Sequence, residues 1–321
     1  MKFRFGVMGA AKIARKFCEA AALCGCEVCA VASKSEERAK AFAEANGIGR
    51  YYADYEAMLE AEKPDAVYIA TTTNDHARLS LLCIRHGVPV LCEKAAYENS
   101  EQARAVFSLA REKGVFVMEA MWSRFLPALL TAKAWVAEGR IGAPAIAQCG
   151  IGFVAPEGAD NRYFSPKLGG GAARDITVYA YELTGYVLGQ EEKEIAACAV
   201  RGETGVDVSD AVLVRYESAV ANLTTSFVSR MEERLTVCGD KGRLVVPSPN
   251  FGAECLLYGP DGSLLEHFTD TVTKNGFTYE IEEVVRCVRE GKTESAIVPW
   301  RDTLACAALF DQIDASLARQ G

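Results

Sequence analysis

The chain has 321 residues, a length that favours two domains because single hydrophobic cores stop growing at about 250–300 residues. Half of the residues are hydrophobic, and the net charge of −8 argues against a nucleic-acid partner, because phosphate binding requires an excess of Lys and Arg. The sequence shows no signal-peptide pattern, no apolar run long enough to span a bilayer and no basic amphipathic stretch. We therefore expect a cytoplasmic protein with no membrane partner.

Short apolar runs alternate with helical spacings over the first 120 residues. The predicted strands are 2–8, 27–32, 51–52, 66–70, 90–92 and 115–118. The predicted helices are 12–23, 35–46, 54–60, 75–86 and 100–113, with Ser35 as a cap and Gly47, Gly87 and Gly114 as stops. This alternation is typical of a parallel sheet covered on both faces, and right-handed crossovers make that sheet doubly wound.

The pattern changes after residue 120. A helix is predicted near 126–138, and the turn Gly169–Gly171 opens another that runs to about residue 188. Strands follow one another with short turns over 195–246, which indicates an antiparallel sheet, and helices return at 279–290 and 301–317. We therefore predict domains at 1–120 and 121–321, the second of α+β class, with the C-terminal helix free to pack back on the first.

The 12 cysteines raise the question of disulfides or a metal. The one tight cluster is Cys24, Cys26 and Cys29, and it lacks the second pair or nearby histidine that a tetrahedral zinc site needs. We expect buried thiols in a reducing compartment and no metal.

The first predicted strand runs into a turn that resembles a dinucleotide-binding loop. The fingerprint G-x-G-x-x-G falls on Gly9, Ala11 and Ala14, so only one glycine of three is present. The strand before it and the helix after it favour pyrophosphate binding over a purely structural turn. The candidate cofactor contacts here are Gly9, Ala10, Ala11, Lys12 and Ile13.

The end of the second strand bears on the choice between NAD and NADP. An acid there would accept a hydrogen bond from the ribose 2′-hydroxyl of NAD, but this chain has Ser33, Lys34 and, a turn later, Arg38. These three residues could hold a 2′-phosphate, so NADP(H) is preferred and NAD(H) stays possible. The alternative is a solvated helix start, since Glu36 and Glu37 are adjacent.

Several motifs together resemble one family, the glucose-fructose oxidoreductase/inositol dehydrogenase/rhizopine catabolism (Gfo/Idh/MocA) family. They are ATTTNDH at 70–76, VLCEKA at 90–95, MEAMWSRF at 118–125, EGRIG at 138–142 and GGGAARDITVY at 169–179. They are closest in form to the branch with dimeric dihydrodiol dehydrogenase and glucose-fructose oxidoreductase. The resemblance implies a Rossmann domain followed by a domain with an open, mainly antiparallel sheet. It also implies an NAD(P)-dependent dehydrogenase acting on a sugar, polyol or trans-dihydrodiol, and a homodimer or homotetramer formed through that sheet.

Lys94 is the main catalytic candidate. It follows a strand at the carboxyl edge of the sheet, where ligands bind in open α/β sheets. A lysine there can hydrogen-bond the reacting oxygen, and burial would lower its pKa. Position alone leaves an ordinary exposed lysine equally open, but the family's Glu-Lys motif favours catalysis. Glu93 would fix the ribose or orient Lys94.

The resemblance also implies roles for a glycine-led helix. Asp175 and Tyr179 are four residues apart and share a helix face. Tyr179 would transfer a proton, and Asp175 would bind a substrate hydroxyl and support the charge of Lys94. The alternatives are a capping Asp and a half-buried Tyr.

The remaining candidates are contact residues. Thr71, Thr72, Thr73 and His76 would line the adenosine and ribose. Trp122 and Arg124 would lie beside the nicotinamide, the alternative being an interface aromatic and a salt-bridged Arg. Phe153 and Arg162 are candidates for substrate contact.

Departures from the family pattern leave a second hypothesis open. Ala95 replaces the proline of Glu-Lys-Pro, and a cis bond before alanine would cost about 3 kcal/mol, so we expect a trans bond. Thr72, Thr73, Arg174 and Thr177 also depart, and Arg174 would carry a substrate charge or point outward. The alternative function is a non-catalytic dinucleotide-binding regulator. A metal-dependent hydrolase is disfavoured by three scattered histidines.

Overall fold

A computed structural model describes residues 2–156, 158 and 161–320. The chain forms two compact units. The first comprises Met1–Trp122 and Lys274–Leu304, and the second comprises Ser123–Thr273 and Ala305–Gly321. Among the described residues, no helix combines the length and the apolar character needed to cross a bilayer.

The first unit contains a six-stranded parallel sheet. Its strands are β1 (Arg4–Met8), β2 (Glu27–Ala32), β3 (Tyr51–Tyr52), β4 (Ala66–Ile69), β5 (Val90–Glu93) and β6 (Val117–Ala120), in the order β3-β2-β1-β4-β5-β6. Its intervening helices are α1 (Lys12–Leu23), α2 (Glu36–Asn46), α3 (Tyr55–Glu62), α4 (Thr73–Arg85) and α5 (Ser100–Lys113). The strand order reverses beside β1, as in a Rossmann fold, so the doubly wound sheet predicted from the sequence is confirmed.

Local signals set the ends of these helices. The Ser35 hydroxyl accepts a hydrogen bond from the Arg38 N–H at 3.2 Å, and Gly47 ends α2 in the left-handed region with φ +66°. Helix α4 begins at Thr73, two residues before the predicted start. Strand β6 begins two residues later than predicted, because the Val115 N–H caps α5 by donating to Ala110 O.

The segment 274–304 belongs to the first unit. Helix α8 (Phe277–Arg289) packs on α1. Helix α9 (Trp300–Ala318) begins with Trp300, whose indole N–H donates to Val117 O at 2.8 Å. The edge strand β6 is therefore hydrogen-bonded to a residue that is about 180 positions away in the sequence.

The second unit contains an eight-stranded, mainly antiparallel sheet. Its strands are β7 (Pro144–Gly152), β8 (Glu192–Arg201), β9 (Asp207–Tyr216), β10 (Val220–Ser226), β11 (Arg234–Gly239), β12 (Gly242–Pro247), β13 (Glu254–Tyr258) and β14 (Leu264–Thr269), in the order β14-β13-β12-β11-β7-β10-β9-β8. Only the β7–β10 pair is parallel among the described strand pairs of this second sheet. The predicted α+β class is confirmed, although the strands 144–152, 254–258 and 264–269 were not predicted. Helices α6 (Pro127–Ala137) and α7 (Val178–Leu188) complete the unit.

The helix predicted to start at the glycine turn opens with a π turn over Ala173–Thr177, which continues directly into α7 at Val178. A separate 3-10 turn, Pro166–Leu168, precedes the glycines. The wider π turn lets two of its groups bond to buried aspartates on β9: the Ala173 N–H to Asp207 and the Thr177 hydroxyl to Asp210.

Candidate functional site

The turn after β1 leaves its backbone open to a ligand. Gly9 has φ +109°, and a Cβ there would lie 2.6 Å from Ala70 O, so only glycine fits. Helix α1 has Ala11 at its N-cap without a side-chain hydrogen bond, and no acid lies in its first turn. The first N–H groups of the helix are therefore available to an anion, which fits the pyrophosphate predicted at Ala10, Ala11, Lys12 and Ile13. Ala14 is fully buried, as close helix–strand packing requires.

The loop after β4 contains a second group that is available to a ligand, the Thr71 hydroxyl. The Thr71 hydroxyl oxygen is buried and has no hydrogen-bond partner among the described residues. A buried polar atom without a partner is costly, so a ligand that bonds it would relieve a penalty of about 1–3 kcal/mol. The Thr72 hydroxyl contacts Asn74 at 2.7 Å, and Thr73 begins α4. This loop fits the predicted contact with the cofactor.

His76 joins two loops at the edge of the sheet. Its Nδ1 lies 3.1 Å from Ala95 O and its Nε2 lies 3.1 Å from Thr71 O. Burial lowers the pKa of His76, which favours the neutral ring, although the two carbonyl groups oppose this shift. His76 thus connects the loop after β4 to the loop after β5. Its contact with the cofactor stays a prediction.

The end of β2 carries no acid. The Ser33 hydroxyl lies 3.5 Å from the Ser35 N–H, and the exposed Lys34 ammonium pairs with Asp75 at 2.6 Å. Arg38 is exposed on the first turn of α2. Lys34 and Arg38 thus both follow the end of β2, the region where a 2′-phosphate is predicted to bind. The Lys34 ammonium already pairs with the Asp75 carboxylate.

Glu93 and Lys94 lie at the carboxyl end of β5. The Tyr68 hydroxyl donates a hydrogen bond to Glu93 Oε1, and the Lys94 N–H donates to Oε2 at 3.2 Å. Burial raises the pKa of Glu93, and the hydrogen bond from Tyr68 opposes the shift. Lys94 is half-buried. Tyr68, which the sequence analysis did not single out, therefore fixes the residue that precedes the catalytic candidate.

The peptide bond between Lys94 and Ala95 is cis, so the expectation of a trans bond is wrong. The neighbouring backbone is held by residues from elsewhere in the first unit. Ala95 O contacts His76, and the Ala96 N–H donates to Glu119 Oε1 at 2.9 Å. Glu119 in turn accepts from the Thr303 hydroxyl at 2.8 Å. Local preference could not reveal this conformation, because these contacts are non-local.

Glu280 on α8 is a buried carboxyl that the sequence analysis also missed. It is fully buried, and neither of its carboxylate oxygens has a hydrogen-bond partner among the described residues. Burial, with a smaller contribution from the charge of Glu93, raises the pKa of Glu280 well above its ordinary range. The side chain therefore favours its protonated form. No local sequence signal marks it, since a glutamate on a helix is ordinarily exposed.

In the second unit, three candidate substrate residues share one neighbourhood. Arg162 Nη1 lies 3.2 Å from Asp175 Oδ1, and the guanidinium stacks 4.1 Å above the Tyr163 ring. The Tyr163 and Phe153 rings are 5.8 Å apart. Burial lowers the pKa of Arg162, but the charges of Asp175 and Tyr163 and their hydrogen bonds together outweigh burial, so the pKa is raised. This neighbourhood thus combines a carboxylate, a guanidinium and aromatic surface.

The remaining candidates of this unit are Tyr179, Arg174 and Arg124. Tyr179 lies in the first turn of α7, one turn after Asp175 in the π turn, and both side chains are partly exposed. Arg174 pairs with Asp314 at 2.6 Å and lies over Phe310, so it contacts α9. Arg124 is 2% exposed and pairs with Glu182 at 3.2 Å, as the salt-bridged alternative describes. Contact between Arg124 and the cofactor stays a prediction. In the first unit, the Trp122 ring packs 5.2 Å from Phe277.

The cysteines supply no site of their own. All 12 are free thiols, and burial raises the pKa of several, such as Cys24 to about 12. Over the described residues, no group of three or more His, Cys, Asp or Glu side chains could hold a metal ion. A thiol with a raised pKa is a weak nucleophile, because the thiolate is the reactive form.

Comparisons with known proteins agree with the fold of both units. Residues 3–121 match the model of an oxidoreductase family with an NAD-binding Rossmann fold, and residues 129–245 match the GFO/IDH/MocA C-terminal domain. Trans-1,2-dihydrobenzene-1,2-diol dehydrogenase of Danio rerio is 31% identical over 97% of this chain and 96% of its own length. The human enzyme of that name is 30% identical, with 89% and 87% covered.

Solved structures give the same fold. A 3-ketoreductase from Actinomadura kijaniata, in complex with NADP and TDP-benzene, superposes with a TM-score of 0.88 at 26% identity, covering 98% of both chains. Aldose-aldose oxidoreductase from Caulobacter crescentus has a TM-score of 0.89 at 21% identity, covering 100% of this chain and 99% of its own, which shows likeness of fold alone.

Proposed function

Since the chain belongs to the Gfo/Idh/MocA family of oxidoreductases, we propose that it interconverts a hydroxyl and a carbonyl group on a sugar, polyol or trans-dihydrodiol. One observation carries this proposal. A lysine follows a tyrosine-anchored glutamate at the edge of the sheet where the Gly9 turn and the Thr71 hydroxyl leave places for a dinucleotide.

The cofactor supplies hydride chemistry when it is bound, and the protein supplies the rest. The Gly9 turn with Ala10, Ala11, Lys12 and Ile13 would hold the pyrophosphate. The other proposed cofactor contacts are Ser33, Lys34, Arg38, Thr71, Thr72, Thr73, His76, Glu93, Lys94, Trp122 and Arg124. The relatives support a nicotinamide cofactor, since the 3-ketoreductase was solved with NADP.

Lys94 would hold the reacting oxygen. An ammonium group can donate a hydrogen bond to an alkoxide and so stabilise the charge that develops there. Glu93 fixes the backbone before it, because its carboxylate accepts both the Tyr68 hydroxyl and the Lys94 N–H. This anchoring supports a lysine held in one position, as catalysis requires.

Tyr179 would move the hydroxyl proton, while Asp175 would bind a neighbouring substrate hydroxyl. The ion pair between Asp175 and Arg162 supports this role, because it holds the carboxylate in one orientation. Phe153 and Arg162 would complete the substrate contacts. The relatives named dihydrodiol dehydrogenase support a hydroxylated ring as the substrate.

NADP(H) is the proposed preference, with NAD(H) also accepted. It is supported by Lys34 and Arg38 beside β2 and by the absence of an acid at the end of that described strand. We further propose a homodimer or homotetramer formed through the second sheet. Ile146, Leu213 and Val200 on its strands are 45%, 52% and 58% exposed, and apolar residues exposed in this way favour a partner surface. Sedimentation of the purified chain measures this, and the cytoplasmic location stays a prediction.

The test is a turnover assay of wild type and Lys94→Met. The purified chain is mixed with NADPH or NADH and a panel of ketoses, aldoses and diketones, and with NADP⁺ or NAD⁺ and diols. We expect Lys94→Met to lower kcat by about a hundredfold to ten-thousandfold while the cofactor Kd stays within a few-fold. Lys40→Ala, an exposed lysine on α2, is the matched control and should leave both constants unchanged.

Two results would reject the proposal. Full turnover by Lys94→Met would remove the lysine from the chemistry. Tight cofactor binding without turnover on any substrate would favour the alternative, a non-catalytic dinucleotide-binding regulator.

A further inference from the structure

Two buried carboxyl groups lie next to the π turn of the second unit. Asp207 is 1% exposed and Asp210 is 4% exposed, and both are on β9. Acids are rarely buried without a basic partner, because an ionised carboxylate is costly to move out of water. The pair is not part of the substrate neighbourhood described above, so its burial calls for another role.

A β-bulge brings the two carboxyls to one side of the strand. On β8, Arg201 and Val200 are adjacent, but their partners on β9 are Asp207 and Ser209, so Val208 is an extra residue. Residues three apart on a regular strand face opposite sides, and one inserted residue reverses that relation. The bulge therefore lets Asp207 and Asp210 face the π turn together.

The pair binds the π turn at both of its ends. The Ala173 N–H donates to Asp207 Oδ2 at 2.5 Å, and the Thr177 hydroxyl donates to Asp210 Oδ2 at 2.6 Å. Thr177 is also 2.6 Å from the Thr225 hydroxyl of β10. A Cβ on Gly171 would lie 2.2 Å from Asp207 Oδ1, which explains a glycine two residues before Ala173. Asp175 lies midway between the two attachment points.

One carboxylate oxygen of the pair requires a proton. Asp210 Oδ1 is buried and has no hydrogen-bond donor among the described residues. Asp207 is the neighbouring charge that acts on Asp210. Burial and then that charge raise the pKa of Asp210 to about 8. Burial also raises the pKa of Asp207, although the hydrogen bond from the Ala173 N–H and the charge of Arg174 oppose this shift.

The groups around the pair leave Asp210 as the protonated member. From the π turn, Arg174 acts on Asp207, although its own guanidinium is bound to Asp314 of α9. From β10, Thr225 adds only a hydroxyl. From β8, the Arg201 guanidinium donates to Leu317 O. Arg174 thus supports a negative charge on Asp207, whereas Asp210 is acted on by the charge of Asp207 and by the hydroxyl groups of Thr177 and Thr225.

We propose that Asp207 and Asp210 share one proton and act together as positioning residues that fix the π turn carrying Asp175. The role of Asp175 rests on the proposed function, but the shared proton does not. Loss of the proton places two carboxylates side by side, and their repulsion loosens the hold on Ala173 and Thr177. The orientation of Asp175, and with it substrate binding, is then lost at alkaline pH.

The test compares wild type with Asp210→Asn, whose amide can donate to Asp207 at every pH. A carboxyl with a raised pKa contributes stability that is complete below the ordinary pKa of Asp and is lost as pH rises through about 8. We therefore expect the folding constant of wild type, relative to Asp210→Asn, to fall by up to about tenfold per pH unit across that range and to level off above it. Denaturant unfolding between pH 4 and 9 measures this.

Two further readouts test positioning rather than stability. Above pH 8, exchange of the Ala173 N–H should accelerate in wild type beyond the ordinary dependence on hydroxide, but not in Asp210→Asn. The substrate KM of wild type should rise over the same interval while the cofactor Kd does not, and Asp210→Asn should lack that rise. Ser209→Ala is the matched control, because Ser209 lies between the two acids and bonds Ser226 at 2.9 Å instead. It should behave as wild type.

The outcomes separate the two proposals. Equal pH dependence of unfolding in wild type and Asp210→Asn would overturn the shared proton. Unchanged Ala173 exchange would overturn the positioning role. If both follow expectation but no substrate is turned over, the pair stands and the proposed function fails.

Discussion

Arg162 Nη1 lies 3.2 Å from Asp175 Oδ1, and this ion pair joins two residues that the sequence separates by 13 positions. It links the loop before the glycine turn to the π turn. The Asp175 side chain is 17% exposed, so its carboxylate is only partly screened by water. Arg162 thereby limits the orientations of a carboxylate that is proposed to bind substrate.

Removing Arg162 tests this relationship. Arg162→Met should raise the substrate KM and lower kcat/KM by about tenfold, because a charged hydrogen bond contributes about 1.5–3 kcal/mol and Arg162 is half-exposed. The cofactor Kd should not change. Steady-state kinetics and cofactor titration measure both constants. Arg234→Met is the control, because the Arg234 side chain is 51% exposed and that of Arg162 is 54% exposed. Arg234 also forms an ion pair with a carboxylate, that of Glu232. An unchanged KM in Arg162→Met would separate Arg162 from substrate binding.

Arg124 and Glu182 form a buried pair whose removal should affect stability. Their side chains are 2% and 0% exposed. Arg124→Met should lower the free energy of unfolding by about 3–5 kcal/mol, because Glu182 would remain charged and buried. Arg124→Met combined with Glu182→Met should recover most of that loss. Denaturant unfolding gives the values, and Arg215→Met, from an exposed pair with Glu194, should cost less than about 1 kcal/mol. A loss below that level in Arg124→Met would contradict the argument.

Glu280 should make the first unit more stable at lower pH. Its pKa is raised by burial and by Glu93, so its contribution is complete below the ordinary pKa of Glu and is lost as pH rises through the raised value. Glu280→Gln should therefore match wild type near pH 4 and be more stable at pH 7, the difference growing by at most about 1.4 kcal/mol per pH unit.

Glu283, one turn later on α8, provides a control of opposite sign. Burial raises its pKa, but hydrogen bonds from Ser295, Arg286 and Cys287 and the charge of Arg286 together outweigh burial and lower the pKa. Glu283→Gln should destabilise the protein at pH 7, and the difference should shrink as pH falls. Thermal unfolding of both variants across pH is the measurement. Parallel curves for Glu280→Gln and wild type would show that Glu280 is already ionised.

The end of β2 should control the choice of cofactor. Ser33→Asp places an acid where the ribose 2′-hydroxyl of NAD would donate and a 2′-phosphate would be repelled. We expect the ratio of kcat/KM for NADPH over NADH to fall by about tenfold to a hundredfold, which corresponds to about 1.4–2.8 kcal/mol. Glu44→Gln on α2, an exposed position, is the control. A ratio that does not move would show that this strand end does not contact the 2′ position.

Much of the first unit could be predicted from the sequence because its signals are local. The Ser35 cap and the Gly47 stop of α2 act within a few residues, and the predicted ends agree with the structure. Strands β7, β13 and β14 escaped prediction. For β7 the reason is that it pairs with residues 74–95 positions away and no turn signal joins it to them.

Some residues of the candidate site could likewise be predicted from the sequence, and others could not. The residues that the sequence singled out include Lys94, Asp175 and Arg162, and the structure brings the last two together. Tyr68, Glu119, Asp207, Asp210 and Glu280 were not found, because an acid or a phenol becomes informative only when its burial and partners are known.

By itself the sequence determined the alternation of strands and helices, the tight turn at Gly9 and the family of the chain. Each of these can be recognised from short stretches of consecutive residues. Only the tertiary structure decided the cis bond after Lys94, the π turn over 173–177 and the burial of acids such as Asp210 and Glu280. These features arise from contacts between distant segments and from the exclusion of water, and neither is encoded in local residue preferences.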